Sequence, residues 1–406
     1  MDNLLIDYAN IILELNEKDR NGYYPLLKAT KYNNIKMVQF LMNYVSKKNI
    51  ILDINEKDEK GNYPLLIATD NNNIEIVKLL VDYADKNNLI LEINEKNKNG
   101  KHPLLSATRT NSIEIVKILI EYANENKIIL KLNEKTWYEC YPLLSATSVE
   151  MVHLLIDYAN KNEIILKLNE KSKNGEYSLL CATDRNNNEI VKLLIEYANK
   201  NKIILEMNEK CCYGWYPLLY ATCYNNIEMV KLLIDYANKN EIILNLNEKN
   251  QNETYPLLES TSEGNIEIIK LLIDYANKNN IILNLNEQNE YGWYPLLYAT
   301  SYNNIEMVQI LIDYANNNKN KINLELNKKD RNGYYPLLKA IKHNNIEVVQ
   351  LFINYANENN IILKLNEKNK DGEYSLLCAT DRNNNEIVKL LIEYANKNKI
   401  ILEVNE

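Results

Sequence analysis

Asp58-Glu59-Lys60-Gly61-Asn62-Tyr63-Pro64-Leu65-Leu66-Ile67-Ala68-Thr69, followed after a short gap by Ile74-Glu75-Ile76-Val77-Lys78-Leu79-Leu80-Val81-Asp82, is the stretch that decides the fold. Proline costs nothing at a first helical position, because that N–H has no partner within the helix. Pro64 therefore opens a short helix. Asn72 stands between the two runs, where a residue that tolerates the left-handed conformation is needed to end it. The second run carries apolar residues at helical spacing, which makes it a second, longer helix. Glu75, Lys78 and Asp82 fall three and four apart on its polar side, predicting ion pairs along that helix. Gly61, three residues before the proline, and Asp58, three before that, mark a tight turn.

The same stretch recurs along all 406 residues. Pro25, Pro64, Pro103, Pro142, Pro217, Pro256, Pro295 and Pro336 hold one slot, and Ser178 and Ser375 fill it in two further units. Eight of the nine glycines lie three residues before that slot, and the ninth, Gly264, takes the helix-ending position. Counted from the turn, the units are 19–57, 58–96, 97–135, 136–171, 172–210, 211–249, 250–288, 289–329, 330–368 and 369–406. Residues 1–18 read as a half unit holding a second helix only. Repeats grow by adding modules to one array, so the prior that converts length into several domains does not apply. One continuous array is expected.

Leu15-Asn16-Glu17-Lys18-Asp19-Arg20-Asn21-Gly22, together with Pro64-Leu65, Ala68 and Ile76-Val77-Lys78-Leu79-Leu80, resembles the turn and helix signature of the ankyrin-repeat family. The resemblance covers residues 19–406. It implies an all-α solenoid, with a β-turn and an antiparallel helix pair per repeat, wound into a curved superhelix. It also implies that partners dock on the inner side, lined by finger turns and first helices.

Three departures matter. The family's Thr-Pro-Leu-His becomes Tyr63-Pro64-Leu65-Leu66, with Tyr in that first slot in nine units and His102 in one, so aromatic packing should replace a hydrogen-bonding network. The fourth unit lacks three residues around Thr147-Ser148-Val149, so its inter-helix turn must be reorganised. The unit is also longer than the usual 33 residues. The addition follows the second helix, where Ile50-Ile51-Leu52-Asp53-Ile54 has the counterpart Ile322-Asn323-Leu324-Glu325-Leu326. Asn at the second place leaves an apolar period of two. That predicts an extended strip with Ile50, Leu52 and Ile54 inward and Ile51 outward. A prolonged second helix is the competing reading.

Catalytic chemistry is not legible. The three histidines, His102, His153 and His343, fall in different units. Of the six cysteines, Cys211, Cys212 and Cys223 come closest to a cluster, but no fourth metal ligand accompanies them. No phosphate-binding glycine loop, zinc-protease motif or nucleophile elbow occurs, so no enzyme, cofactor or metal is expected. A net charge of −8 argues against nucleic acid. No signal peptide or membrane-spanning run stands out, and unpaired thiols fit the cytosol or nucleus.

Against this constant frame three positions vary: the residue after the turn glycine, the residue three after proline, and the pair after Ala-Thr. Units six and eight are aromatic there, with Trp215, Tyr220 and Tyr224, then Trp293, Tyr298 and Tyr302. Trp137 stands in the glycine-less fourth turn. Tryptophan and tyrosine dominate interface hot spots, which makes these the candidate partner-binding residues. A basic alternative comprises Lys28, Lys31, Lys339 and Lys342. The function expected is a non-catalytic protein-interaction scaffold or adaptor. The alternative is the recognition segment of a larger polypeptide with its effector domain elsewhere. Uncapped ends leave self-association open.

Overall fold

The computed structural model describes residues 15–403. Among them twenty helices and no strand form ten pairs, an all-α repeat solenoid. The pairs run from Pro25–Lys31 with Ile35–Lys48 to Ser375–Asp381 with Asn385–Lys397. The half repeat expected over 1–18 lies outside the described residues except for 15–18. The chain divides into two compact units, Met1–Ala182 with Glu189–Leu205 and Thr183–Asn188 with Glu206–Glu406, both built of the same module.

Each boundary has a local cause. In the second repeat, Pro64 starts the seven-residue helix Pro64–Asp70. Asn72 follows it with φ 53°, and the same slot is left-handed in Asn33, Asn111, Asn186, Asn225, Asn303, Asn344, Asn383 and Gly264. Next, Asn73 accepts the Ile76 N–H with its side chain and caps the thirteen-residue helix Ile74–Lys86. Asn73 also donates to Asn33 Oδ1 of the preceding repeat at 2.5 Å. Asn226 on Asn186 and Asn345 on Asn303 repeat that contact, each at 2.6 Å. The finger turn is an Asx turn: Asp58 Oδ1 accepts from Lys60 N at 2.9 Å and Asn62 N at 2.7 Å. Gly61 has φ 79°, and a Cβ there would lie 3.0 Å from the Asn97 Cα of the next turn.

The core alternates the two helices. Leu65, Leu66 and Ala68 of the first meet Ile76, Val77, Leu80 and Ala84 of the second, all essentially without solvent contact. Each such leucine contributes roughly 2 kcal/mol on burial. The tyrosine before the proline or serine slot is buried in eight units, all but the third, which carries His102, and the last. Its hydroxyl donates to a main-chain carbonyl in the segment that closes the same repeat, as from Tyr63 to Glu92 O at 2.7 Å and Tyr255 to Glu287 O at 3.0 Å. His102 is fully buried in the same slot, yet neither ring nitrogen has a hydrogen-bond partner.

The added segment is extended. The second helix of the first repeat stops at Lys48, Leu52 and Ile54 are buried, Ile50 is half-buried and Ile51 is 52% exposed. The prolonged-helix alternative is thereby overturned. Two side chains hold the strip. Tyr83, on the next repeat's second helix, accepts the Leu52 N–H at 2.9 Å. The asparagine of each Asn-Glu-Lys triplet clamps the strip one repeat on: Asn55 donates to Ile90 O at 2.7 Å and accepts from Glu92 N at 3.1 Å.

Two expectations need correction. Lys78 pairs with the next repeat rather than along its own helix, meeting Glu114 at 2.5 Å as Lys231 meets Glu267 at 2.6 Å, whereas Lys192 and Lys389 do pair along their helices, with Glu189 and Glu393. Stacking brings residues about one repeat apart closer than residues one turn apart. The deletion in the fourth unit removes more than turn residues. Its first helix shrinks to Pro142–Ser145, Ala146 is extended, and Ser148 caps the next helix in place of asparagine.

Candidate partner-binding face

The variable positions lie on the finger turns and first helices. In repeat six the Trp215 ring stacks on Tyr220, centroids 4.7 Å apart, and Tyr220 stacks on Tyr224 at 6.1 Å. Repeat eight repeats the arrangement, with Trp293 on Tyr298 at 4.7 Å and Tyr298 on Tyr302 at 6.1 Å. The four-residue spacing from a helical tyrosine to the residue that caps the helix's C-terminal end aligns the two tyrosines on one side. Exposure rises outward along each stack: Trp215, Tyr220, Trp293 and Tyr298 are half-buried, while Tyr224 and Tyr302 are exposed. Burial raises the Tyr220 hydroxyl's pKa, and the facing Asp184 carboxylate raises it further. Trp137 is 67% exposed in its own turn, with Tyr138 beside it. It belongs to the other compact unit.

Repeat seven stands between the two stacks and carries Glu259 and Glu263. Burial holds the Glu259 carboxyl above its usual range, with the Thr254 hydroxyl and the Glu263 charge as its polar neighbours. The same two carboxylates act on Cys223 on one side and Tyr298 on the other. Cys223 is pushed up to about 11, first by burial and then by those charges, so it stays a thiol.

The basic candidates are engaged within the chain. Lys28 pairs with Asp19 at 2.9 Å, Lys31 meets the Tyr23 hydroxyl at 2.7 Å, and Lys342 pairs with Glu373 at 2.7 Å. Lys339 lies over Tyr334 at 4.0 Å and over Trp293 at 5.4 Å. Tyr213 and Tyr291, which precede the turn glycines of repeats six and eight, are exposed, and Arg331 lies over the Tyr291 ring at 5.9 Å. Sequence reasoning passed over them, and over Glu259 and Glu263. Acidic residues at a variable position signal nothing until their missing cations are visible.

A family model described as ankyrin repeats (3 copies) matches residues 3–90, 47–131, 144–243, 240–323 and 315–401. No curated protein matches the chain. Among the described residues no helix is long and apolar enough to cross a membrane, and no three His, Cys, Asp or Glu side chains gather as a metal site. Turn, short first helix, led by proline in eight cases and serine in two, and longer second helix recur ten times under matches that reach from residue 3 to residue 401, and the chain belongs to the ankyrin-repeat family.

Proposed function

We propose that this chain is a non-catalytic scaffold or adaptor of the cytosol or nucleus, which docks a protein partner on its finger and first-helix face. Ankyrin repeats are in general protein-interaction modules, and the fold is typically non-catalytic. The observation that carries the reading is the pair of aromatic stacks, Trp215-Tyr220-Tyr224 and Trp293-Tyr298-Tyr302, built on variable positions of an otherwise constant module and open at Tyr224 and Tyr302. A core needs no such side chains there, because Lys28, Ile67 or Ser106 serves at the position of Tyr220 and Tyr298. Rigid aromatic rings bury large area at small cost in rotamer freedom. Trp137 supplies a further contact point in the other unit. The same face serves whether the array stands alone or within a longer polypeptide.

The test is affinity capture with mass spectrometry, comparing the wild type with Trp215→Ala plus Trp293→Ala. Partners recovered by the wild type should be lost or weakened by about 2 kcal/mol or more in the variant. Unchanged affinity for every recovered partner would move the site off this face.

A further inference from the structure

Several carboxylates elsewhere on this face meet the chain's own cations, while the exposed Asp184 meets the Tyr220 and Tyr224 hydroxyls instead. Asp70 binds Lys101 at 3.0 Å and Arg109 at 2.8 Å, Asp19 binds Lys28, and Glu373 binds Lys342. Glu259 and Glu263 are different. Among the described residues neither has an ion pair, although both stand between two aromatic walls and Glu259 is half-buried. A partly desolvated carboxylate without a cation is a cost to the folded chain. The walls offer faces of negative quadrupole, which attract cations. The chain itself uses one such face: Lys339 lies over Trp293. No cation of the chain lies over the Trp215 ring among the described residues.

We propose that repeats six to eight hold an extended, arginine- or lysine-bearing segment of a protein partner, its cationic side chains lying along the Trp215-Tyr220-Tyr224 and Trp293-Tyr298-Tyr302 stacks and pairing with Glu259 and Glu263. This rests on the proposed docking face and specifies its partner's chemistry. Two helix layers at about 10 Å each span about 20 Å, the length of about six extended residues. An acidic segment would meet two uncompensated carboxylates. A purely apolar one would desolvate Glu259 further and return nothing for it.

The experiment uses the full chain and fluorescence anisotropy at low salt. The probes are an eight-residue peptide alternating arginine with glycine, and its counterpart with glutamate in place of arginine. The arginine peptide should bind saturably, tighter than about 1 mM, and weaken as salt rises. Glu259→Gln with Glu263→Gln should lower its affinity about tenfold or more. Trp215→Ala with Trp293→Ala should do the same. Glu121→Gln with Glu125→Gln removes the same net charge from an exposed second helix and should change affinity by less than about twofold. Equal binding of the glutamate peptide, no saturable binding of the arginine peptide, or equal losses in the two glutamine pairs would each overturn the proposal. Glutamine is isosteric with glutamate, and an unchanged melting temperature shows that a loss is not unfolding. If the tryptophan pair weakens captured partners while Glu259→Gln with Glu263→Gln does not, the docking face stands and its preference for cations falls. If neither pair matters, the face itself falls.

Discussion

His102 is the residue least suited to its slot. Burial holds its imidazole down to about 4, and the Lys96 ammonium adds to that. In the unfolded chain the ring titrates near 6.5. Above that value it is neutral in both states and costs nothing by titration. As pH falls from about 6.5 to about 4 the unfolded chain takes up a proton that the folded chain refuses, and roughly 3 kcal/mol of stability drains away. His102→Tyr should abolish that term and add a hydroxyl able to reach the Glu134 carbonyl, thirty-two residues on, as Tyr255 reaches Glu287. Thermal melts at pH 7 and pH 4.5 check this: the variant should melt higher at both, by more at the lower. The glycine slot makes a second case. Glu253 holds it with φ 60°, and Glu253→Gly should stabilise by about 0.5–1 kcal/mol. Gly372→Ala should cost about 1 kcal/mol for its φ alone. Gly333→Ala should cost more, because its methyl would meet Asn369 Cα at 2.8 Å whereas nothing lies within 4 Å of Gly372. Urea denaturation orders the three.

Among the elements, the extended strip separates what was legible from what was not. The apolar period of two, with Asn323 as its telling exception, was enough to place Ile51 outward and Leu52 inward. Leu52→Ala should therefore cost roughly 2–5 kcal/mol, while Ile51→Asn should stay within about 0.5 kcal/mol. The clamp on the strip was not legible. Asn55 reads as one more asparagine in a chain rich in them, a bias that genome composition explains equally well, and its two bonds go to main-chain groups thirty-five and thirty-seven residues away. Asn55→Ala should cost about 1–3 kcal/mol by stranding both, which the same denaturation series would show. The charge pairs were misplaced for a related reason: spacing along one helix is visible in sequence, but the distance from Lys78 to Glu114 is set by stacking. The aromatic stacks were legible because they break a constant frame. Glu259 breaks it too, but its meaning lies in the cation it lacks. The fourth repeat has lost the last turn of its first helix, so its amides should exchange faster than those of the third. Uniform protection across residues 97–171 would contradict that.

At the scale of the molecule, stability is shared among neighbours. Within each compact unit neighbouring repeats bond to one another, as Asn55 does to Ile90 and Asn247 to Ile282, and an array of this kind opens in parts rather than all at once. The three tryptophans are placed to report it, in repeats four, six and eight. Variants retaining one tryptophan each should show different urea midpoints, with Trp137, in the shortened repeat, lowest. Superimposable transitions, matched by circular dichroism, would mean that the chain unfolds as one cooperative block.

The asparagine clamp also bears on how such a chain can change. Asn55 grips the carbonyl of Ile90 and the amide of Glu92, and Asn94 grips those of Ile129 and Lys131. Neither grip depends on which amino acid offers the groups. If residues 58–96 were excised, Asn55 would face Ile129 and Lys131, and Lys57, now beside Glu95, would face Glu134. The joint carries no address. Modules can be lost, doubled or transposed by recombination without a compensating substitution, and the identical stretches 176–206 and 373–403 are one module at home in two places. The exception shows the rule: where Lys328 stands in place of the usual glutamate, Gln288 replaces the lysine that would have faced it.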